Sequence, residues 1–336
     1  YVVLGIPSGQ WLDRWFRPTL VVGTVLSIAG VLVRAIDPQS YAWAMSGQLV
    51  MSIGSPLVLN AITKLPARHF TSTQRTAAVS ILSASQFTGI LLAASTGPWL
   101  MSHGIGVLVV THALVVTAAG VAFLGSLRIP SRYPAGTSFA SAAKVIRENR
   151  VLLPLAALLF MGFGLFDAFA TWIDSIESDL GNPGVGALLV TMITIGGVAG
   201  AATLPALAAR LGRRRELLIL IGVVNALIIP ALIVVREPLL LAVLAALLGF
   251  LLFSGMPTVL DWSEEISGRE HAGAVAGFLI VVGNIGGTTY VLILQGVLGH
   301  PHVAVLLLTA LVTPWVLVAR RIAPAPATAQ REEVLA

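Results

Sequence analysis

Cysteine is absent from the chain. That excludes disulfides, thiolate metal sites and thiol catalysis, and it leaves the redox compartment unread. Charge is scarce as well. Asp, Glu, Lys and Arg make up 10% of the residues, against about 25% in soluble domains. There is no Gly-rich element ending in GKS or GKT, so ATP hydrolysis by this chain is not expected. No basic n-region followed by a small-residue cleavage site marks a signal peptide.

Apolar sequence fills the space that charge leaves. Hydrophobic residues are 57% of 336, and the mean hydropathy is +0.92. A soluble core of this length could not hide so much apolar surface, whereas lipid can. The net charge of +5 does not point to nucleic acid, because the basic residues sit in short loops between apolar runs. Candidate spans are 1–11 (partial), 18–36, 40–62, 76–100, 104–127, 151–173, 184–208, 216–235, 238–260, 271–298 and 303–320. Crossing a hydrocarbon core of about 30 Å takes about 20 apolar residues. The spans must be helices, because lipid satisfies no backbone polar group.

Loop charge sets orientation. Of the 20 Lys and Arg residues, all but Arg34 and Arg236 fall in one set of alternating loops. The positive-inside rule makes loops 12–17, 64–75, 128–150, 209–215 and 261–270 cytoplasmic. The chain is expected in a plasma membrane, in a bacterium the inner one. Asp37, Asp174, Glu177, Asp179 and Glu237 lie on the other side. The loop 128–150 is basic and punctuated by Pro and Gly, with an amphipathic helix expected over 138–149. It divides an N-terminal bundle (1–127) from a C-terminal bundle (151–321), and residues 322–336 form a tail. Residues 1–11 are too short to span alone, and the sequence opens on Tyr1 rather than Met. The expectation is a 6 + 6 plan from which the first helix and the start of the second are missing. Repeated halves around a midplane site are typical of secondary transporters.

Asp167 is the acid that a bilayer should bury, in VLLPLAALLFMGFGLFDAFATWI over 151–173. A carboxylate at that depth costs about 2.5–3.5 kcal/mol on insertion scales. Such residues face a bundle interior or a wet cavity and often mark a substrate or ion path. Three readings stay open: pairing with a cationic substrate, carrying a coupling proton or Na⁺, or a structural bond to a neighbouring helix. Gln86 lies mid-helix among Ser83, Ala84, Ser85 and Thr88, and Asn284 lies within VVGNIGGTT. Each is either a site residue or a helix–helix contact, since a buried amide needs partners. Gly196/Gly200 and Gly273/Gly277 have the spacing of close helix seams. His112 reads as an interhelical contact or a cavity residue. His300 and His302 give no metal-site pattern. Neither a cofactor nor a metal is expected.

Residues 9–17, GQWLDRWFR, resemble the loop signature of the major facilitator superfamily, through Gly9, Leu12, Asp13, Arg14 and Arg17. Phe16 and Pro18 depart from that pattern. A weaker copy holds Arg210, Gly212, Arg213 and Arg214, with Ala209 at the acid's place. The resemblance implies an all-α, two-bundle fold. Asp13, Arg14, Arg17, Arg210 and Arg213 are then candidates for a cytoplasmic latch, in which a carboxylate near a helix N-terminus and bridging arginines hold the halves together. Plain topogenic charge is the alternative, above all for Arg213 to Arg215. A sharper resemblance, over 47–90, is to the feline leukaemia virus subgroup C receptor-related branch. It rests on Gly47, Gln48, Pro56, Leu59, Asn60, Lys64, Leu65, Phe70, Gln86 and Gly89. Ser55, Ile62 and His69 depart from it.

That branch moves choline, ethanolamine or related small organic solutes, and haem export has been attributed to it. The resemblance implies a substrate-contacting Gln86 and places Asn284 where the branch has Gln. Asp167 stands where the branch has an aromatic suited to cation–π contact, with Phe166, Phe169 and Trp172 around it. The expected site is therefore Asp167, Gln86, Asn284, Phe166 and Trp172. The expected function is a secondary active transporter of a small solute, a cationic or zwitterionic amine. Its partners are that substrate, a coupling proton or Na⁺ and membrane lipid, with no nucleic acid, and the chain is expected to be a monomer. Two other classes compete. A membrane enzyme acting on lipid would need a cluster of His, Asp or Glu at one face, and Asp261, Glu264 and Glu265 lack a His partner. A non-transporting receptor would not need Asp167 and Gln86 to share a cavity.

Overall fold

The computed structural model describes residues 3–132, 144–145, 147–267 and 272–322. Among them every regular element is a helix. In chain order these are α1 (Gly5–Arg14), α2 (Phe16–Ile36), α3 (Tyr41–Leu59), α4 (Ala61–His69), α5 (Ser72–Ser102), α6 (Ile105–Ser126), α7 (Leu152–Asp179), α8 (Gly186–Arg210), α9 (Arg214–Val234), α10 (Pro238–Ser267), α11 (Ala272–Gln295), α12 (Pro301–Val312) and α13 (Pro314–Arg321). Among the described residues, eight stretches are long and apolar enough to cross a membrane, with α12 and α13 counting as one. Helices α5 and α9, of 31 and 21 residues, stand where two further spans are expected. Most of the helix expected over 138–149 lies outside the described residues. So do residues 268–271 and 323–336, with Arg269 and Glu270 among them.

Large side chains face outward along these helices, as a lipid-solvated surface requires. Leu227 is 68% exposed and Leu114 is 67% exposed. A large core joins all the helices from α7 to α13. A small one joins α1, α2 and α4 through Leu12, Phe16, Leu20 and Ala61.

Glycine decides where helices touch backbone to backbone. A methyl group on Gly196 or Gly200 of α8 would fall on the carbonyl oxygens of Ala246 and Phe250 of α10. Without a hydrophobic force between helices in lipid, such close contact is what drives pairing. In the same way Gly283 and Gly286 of α11 lie on Phe163 and Phe160 of α7, and Gly164 lies under the Tyr290 ring. Gly277 does not form the seam that its spacing suggests. Among the described residues it faces open space.

Two expected spans are broken. The stretch 40–62 ends at Asn60, and α4 restarts beyond it. The Asn60 amide donates to Gly5 O and to Ser8 Oγ, each at 2.7 Å, and ties α1 to the break. The stretch 303–320 breaks between α12 and α13, at Thr313 and Pro314. Pro314 has no N–H to continue the helix. Tyr290 Oη donates to Leu311 O at 2.9 Å beside this break, and Trp315 Nε1 donates to Leu218 O at 2.7 Å. The two halves meet through α1 and α4 against α11, and through α5 against α8. Because α4 lies wholly at the end that carries the basic loops, the halves are in contact at that end.

Candidate functional site

Asp167 lies on the stretch of α7 beyond its midpoint, away from the basic loops. Its carboxylate rests on α11 at Gly287, where any side chain would collide with Oδ2. With glycine here the carboxylate lies directly against the α11 backbone, and a side chain at 287 would displace it. The carboxylate borders a cleft of about 330 Å³ lined by Asp167, Ala170, Thr171, Gly287, Thr288, Val291 and Leu292. Trp172 Nε1 donates to Val291 O at 3.0 Å and pins the two helices just beyond it.

The polar atoms of this cleft share one character. Thr171 Oγ1 donates its proton to Asp167 O at 2.7 Å, and Thr288 Oγ1 donates to Asn284 O at 3.1 Å. Each hydroxyl has used its hydrogen on the helix and offers only lone pairs. Among the described residues no side chain donates to the Asp167 carboxylate. A carboxylate and two hydroxyl oxygens make a set of acceptors, which suits an ammonium group or a monovalent cation. No group of three or more His, Asp or Glu side chains converges among the described residues.

The other expected site residues spread out. Asn284 lies one turn below Thr288 on α11, and its Nδ2 donates to Ile280 O at 2.8 Å. It shares the helix face but does not line the cleft. Phe166 points to the opposite flank, edge-on to Phe253 of α10 with ring centroids 4.8 Å apart. Trp172 closes the seam rather than the cleft. Gln86 is half-buried on α5, away from the cleft lining. Thr171 and Thr288 are absent from the sequence expectation, although each lies four residues beyond a named polar residue. Helical periodicity puts them on the same face.

At the basic end the loop motif folds back within its own half. Asp13 forms an ion pair with Lys64 of α4, and Lys64 Nζ also donates to Gly9 O at 2.7 Å. Burial pushes the Lys64 ammonium below its usual range despite that partner. Arg17 donates to Ile129 O at 3.2 Å, Arg14 lies over the Trp15 ring, and Arg68 lies over the Phe16 ring. In the second half Arg214, not Arg210 or Arg213, carries the network. It pairs with Asp261 at 2.6 Å and Glu265 at 2.5 Å, and Arg215 donates to Arg320 O. Arg210 and Arg213 are exposed and form no ion pair among the described residues. The acid and the base thus exchange places between the halves. The loop acid meets a cation on α4, and the loop cation meets acids on α10.

His69 provides a test of this end. Burial, then Arg17, Arg68 and Arg132, hold its imidazole below the ordinary 6.5. The unfolded chain therefore binds a proton that the folded chain refuses as pH falls through about 6.5, so stability is lost on acidification. Thermal unfolding between pH 7.5 and 5.5 should show the midpoint falling. In His69→Gln that part of the slope should vanish. An unchanged slope would place His69 in a neutral environment.

The comparisons with known proteins agree with this architecture. The model of the Major Facilitator Superfamily matches residues 1–290. Solute carrier family 49 member A3 of Danio rerio is 26% identical over 298 residues, covering 83% of this chain and 62% of that protein. Its namesake in Xenopus tropicalis is 26% identical, covering 88% and 68%. The cyanate transport protein CynX of Escherichia coli is 27% identical, covering 63% and 56%. The chain thus spans 62% of the length of the Danio rerio relative. Among solved structures, a fucose:proton symporter of Escherichia coli superposes with TM-score 0.67 at 12% identity, covering 96% of this chain and 88% of that one. An auto-inhibited peptide transporter of the POT family gives 0.68 at 15%, covering 97% and 87%. At such identities these structures establish the fold alone: an all-helical membrane transporter fold.

Proposed function

This chain belongs to the Major Facilitator Superfamily, and from that premise we propose that it is a secondary active transporter, working by alternating access, whose substrate is a small cationic or zwitterionic amine. Family membership sets it with integral membrane transporters rather than with enzymes acting on lipid. The observation that carries the substrate class is the acceptor character of the cleft around Asp167. An ammonium brings hydrogen-bond donors and a charge, and it meets a carboxylate and two hydroxyl lone pairs. A neutral or anionic solute would leave the carboxylate desolvated and unpaired, which is costly. Val291, Leu292 and Ala170 supply apolar surface for the substrate's carbon skeleton.

In this reading Gln86 and Asn284 complete the path from their half-buried positions on α5 and α11. Asp13 with Lys64, Arg17 with Ile129, and Arg214 with Asp261 and Glu265 brace each half from within at the basic end, and the contact of α1 and α4 with α11 holds that end closed while the opposite end admits substrate. Separation of α1 and α4 from α11 would then open that end. The protein acts as a monomer in the plasma membrane, with the basic loops in the cytoplasm. A second reading rests on the same atoms: a carboxylate and two hydroxyls also fit Na⁺ or a transferred proton, so Asp167 would carry the coupling ion.

Counterflow in proteoliposomes tests the proposal. Full-length protein preloaded with choline or ethanolamine should take up the labelled amine, and a neutral isostere of choline should not drive exchange. Equal exchange of the amine and its neutral isostere would sink the charge-selective reading.

A further inference from the structure

Arg34 is one of the two basic residues outside the cytoplasmic set, and it lies in the last turn of α2. A cation there complements the helix C-terminus, but that needs no fixed geometry. The surroundings of Arg34 are fixed. Its stem lies on Gly47 of α3, where any side chain would collide with Arg34 Cγ and with Gly30 O. Its Nη1 donates to Gln48 Oε1 at 3.3 Å. No acid pairs with Arg34 among the described residues. Asp37, the nearest in sequence, accepts the Gln39 N–H at 3.1 Å instead.

The chemistry of the pair follows from who donates. Gln48 turns its carbonyl oxygen to the guanidinium, which leaves its NH₂ group as a donor. Arg34 keeps its remaining N–H groups, since a guanidinium has no acceptor. The pair therefore offers several outward donors, and its net charge is positive. This is the converse of the Asp167 cleft.

We propose that Arg34 and Gln48 form an oxyanion-binding site at the end of the N-terminal half opposite the basic loops. The ligand is a carboxylate or a phosphate, held by the planar donor fork of arginine and the glutamine amide. Two sources offer that chemistry, a soluble anionic or zwitterionic solute and the headgroup of an anionic lipid. The site is independent of Asp167 and of the substrate assigned there.

The test uses full-length protein in neutral detergent at constant ionic strength. Thermal unfolding is followed while acetate, inorganic phosphate, or phosphatidylglycerol doped into the micelles is titrated. The midpoint should rise with at least one probe. A response to acetate or phosphate identifies a soluble ligand, and a response to phosphatidylglycerol alone identifies a headgroup. Arg34→Gln should weaken the response about tenfold or more, the scale of losing a charged hydrogen bond. Gln48→Glu should do the same. It keeps Arg34 and the side-chain shape but supplies an internal carboxylate, and because Gln48 is exposed it serves even if Arg34→Gln fails to fold. No response in the wild type to any probe, or wild-type responses in folded variants, would overturn the site.

Discussion

In the full-length protein Asp167→Asn is expected to abolish counterflow of a cationic amine while leaving the fold intact. The substitution keeps the shape of the side chain against Gly287 and removes the charge. Losing a hydrogen bond to a charged group costs about 1.5–3 kcal/mol, or about a tenfold to hundredfold loss of affinity. The Asn amide also adds donors to a cleft built of acceptors, so an ammonium would meet an N–H where it needs a lone pair. A coupling role for Asp167 predicts something else. Binding would persist, uphill transport would be lost, and exchange would survive. Unchanged binding together with unchanged uphill transport would make Asp167 a structural residue and remove both readings.

The other large effect belongs to the α8–α10 seam. Gly200→Ala places a methyl group on the Phe250 carbonyl, which is backbone and cannot rotate aside. Overpacking costs about 1–3 kcal/mol where side chains can shift, and here only a movement of the helices relieves it. Gly200→Ala should therefore lose most of its monodisperse, folded protein in size-exclusion chromatography. Gly277→Ala is the matched control. Among the described residues it faces open space, and Ala favours helix over Gly by about 1 kcal/mol, so its yield should equal or exceed the wild type. Equal yields from the two variants would show that the seam yields readily.

Much of this was legible in the sequence because membrane physics leaves few choices. Apolar runs of sufficient length must be helices, and the alternation of basic loops counts them. The motif at 9–17 pointed to the family that the comparisons identify, and the stretch 47–90 pointed to the branch that holds the solute carrier family 49 relatives. Side-chain direction was not legible. Phe166 and Asp167 are neighbours in sequence, yet one faces Phe253 and the other Gly287. In a helix apolar on all sides, hydropathy does not say which face meets which neighbour. The ion pairs were also hidden. Arg214 and Lys64 read as topogenic charge, because pairing to Asp261, Glu265 and Asp13 depends on which loops the fold brings together. The breaks at Asn60 and Thr313 lay inside apolar runs that look continuous.

The seam between α7 and α11 also bears on how the protein is made. Trp172 and Val291, joined by a hydrogen bond across it, are 119 residues apart in the chain. A helix leaving the ribosome with Asp167 enters the bilayer long before Gly286 and Gly287 exist to cover its flank. Three further spans, α8 to α10, must be synthesised in the meantime. During that interval the carboxylate has no seam to rest in, and membrane insertion must shelter it at the translocon or let it stay near the aqueous surface. The native surroundings of Asp167 are thus complete only once α11 has been synthesised.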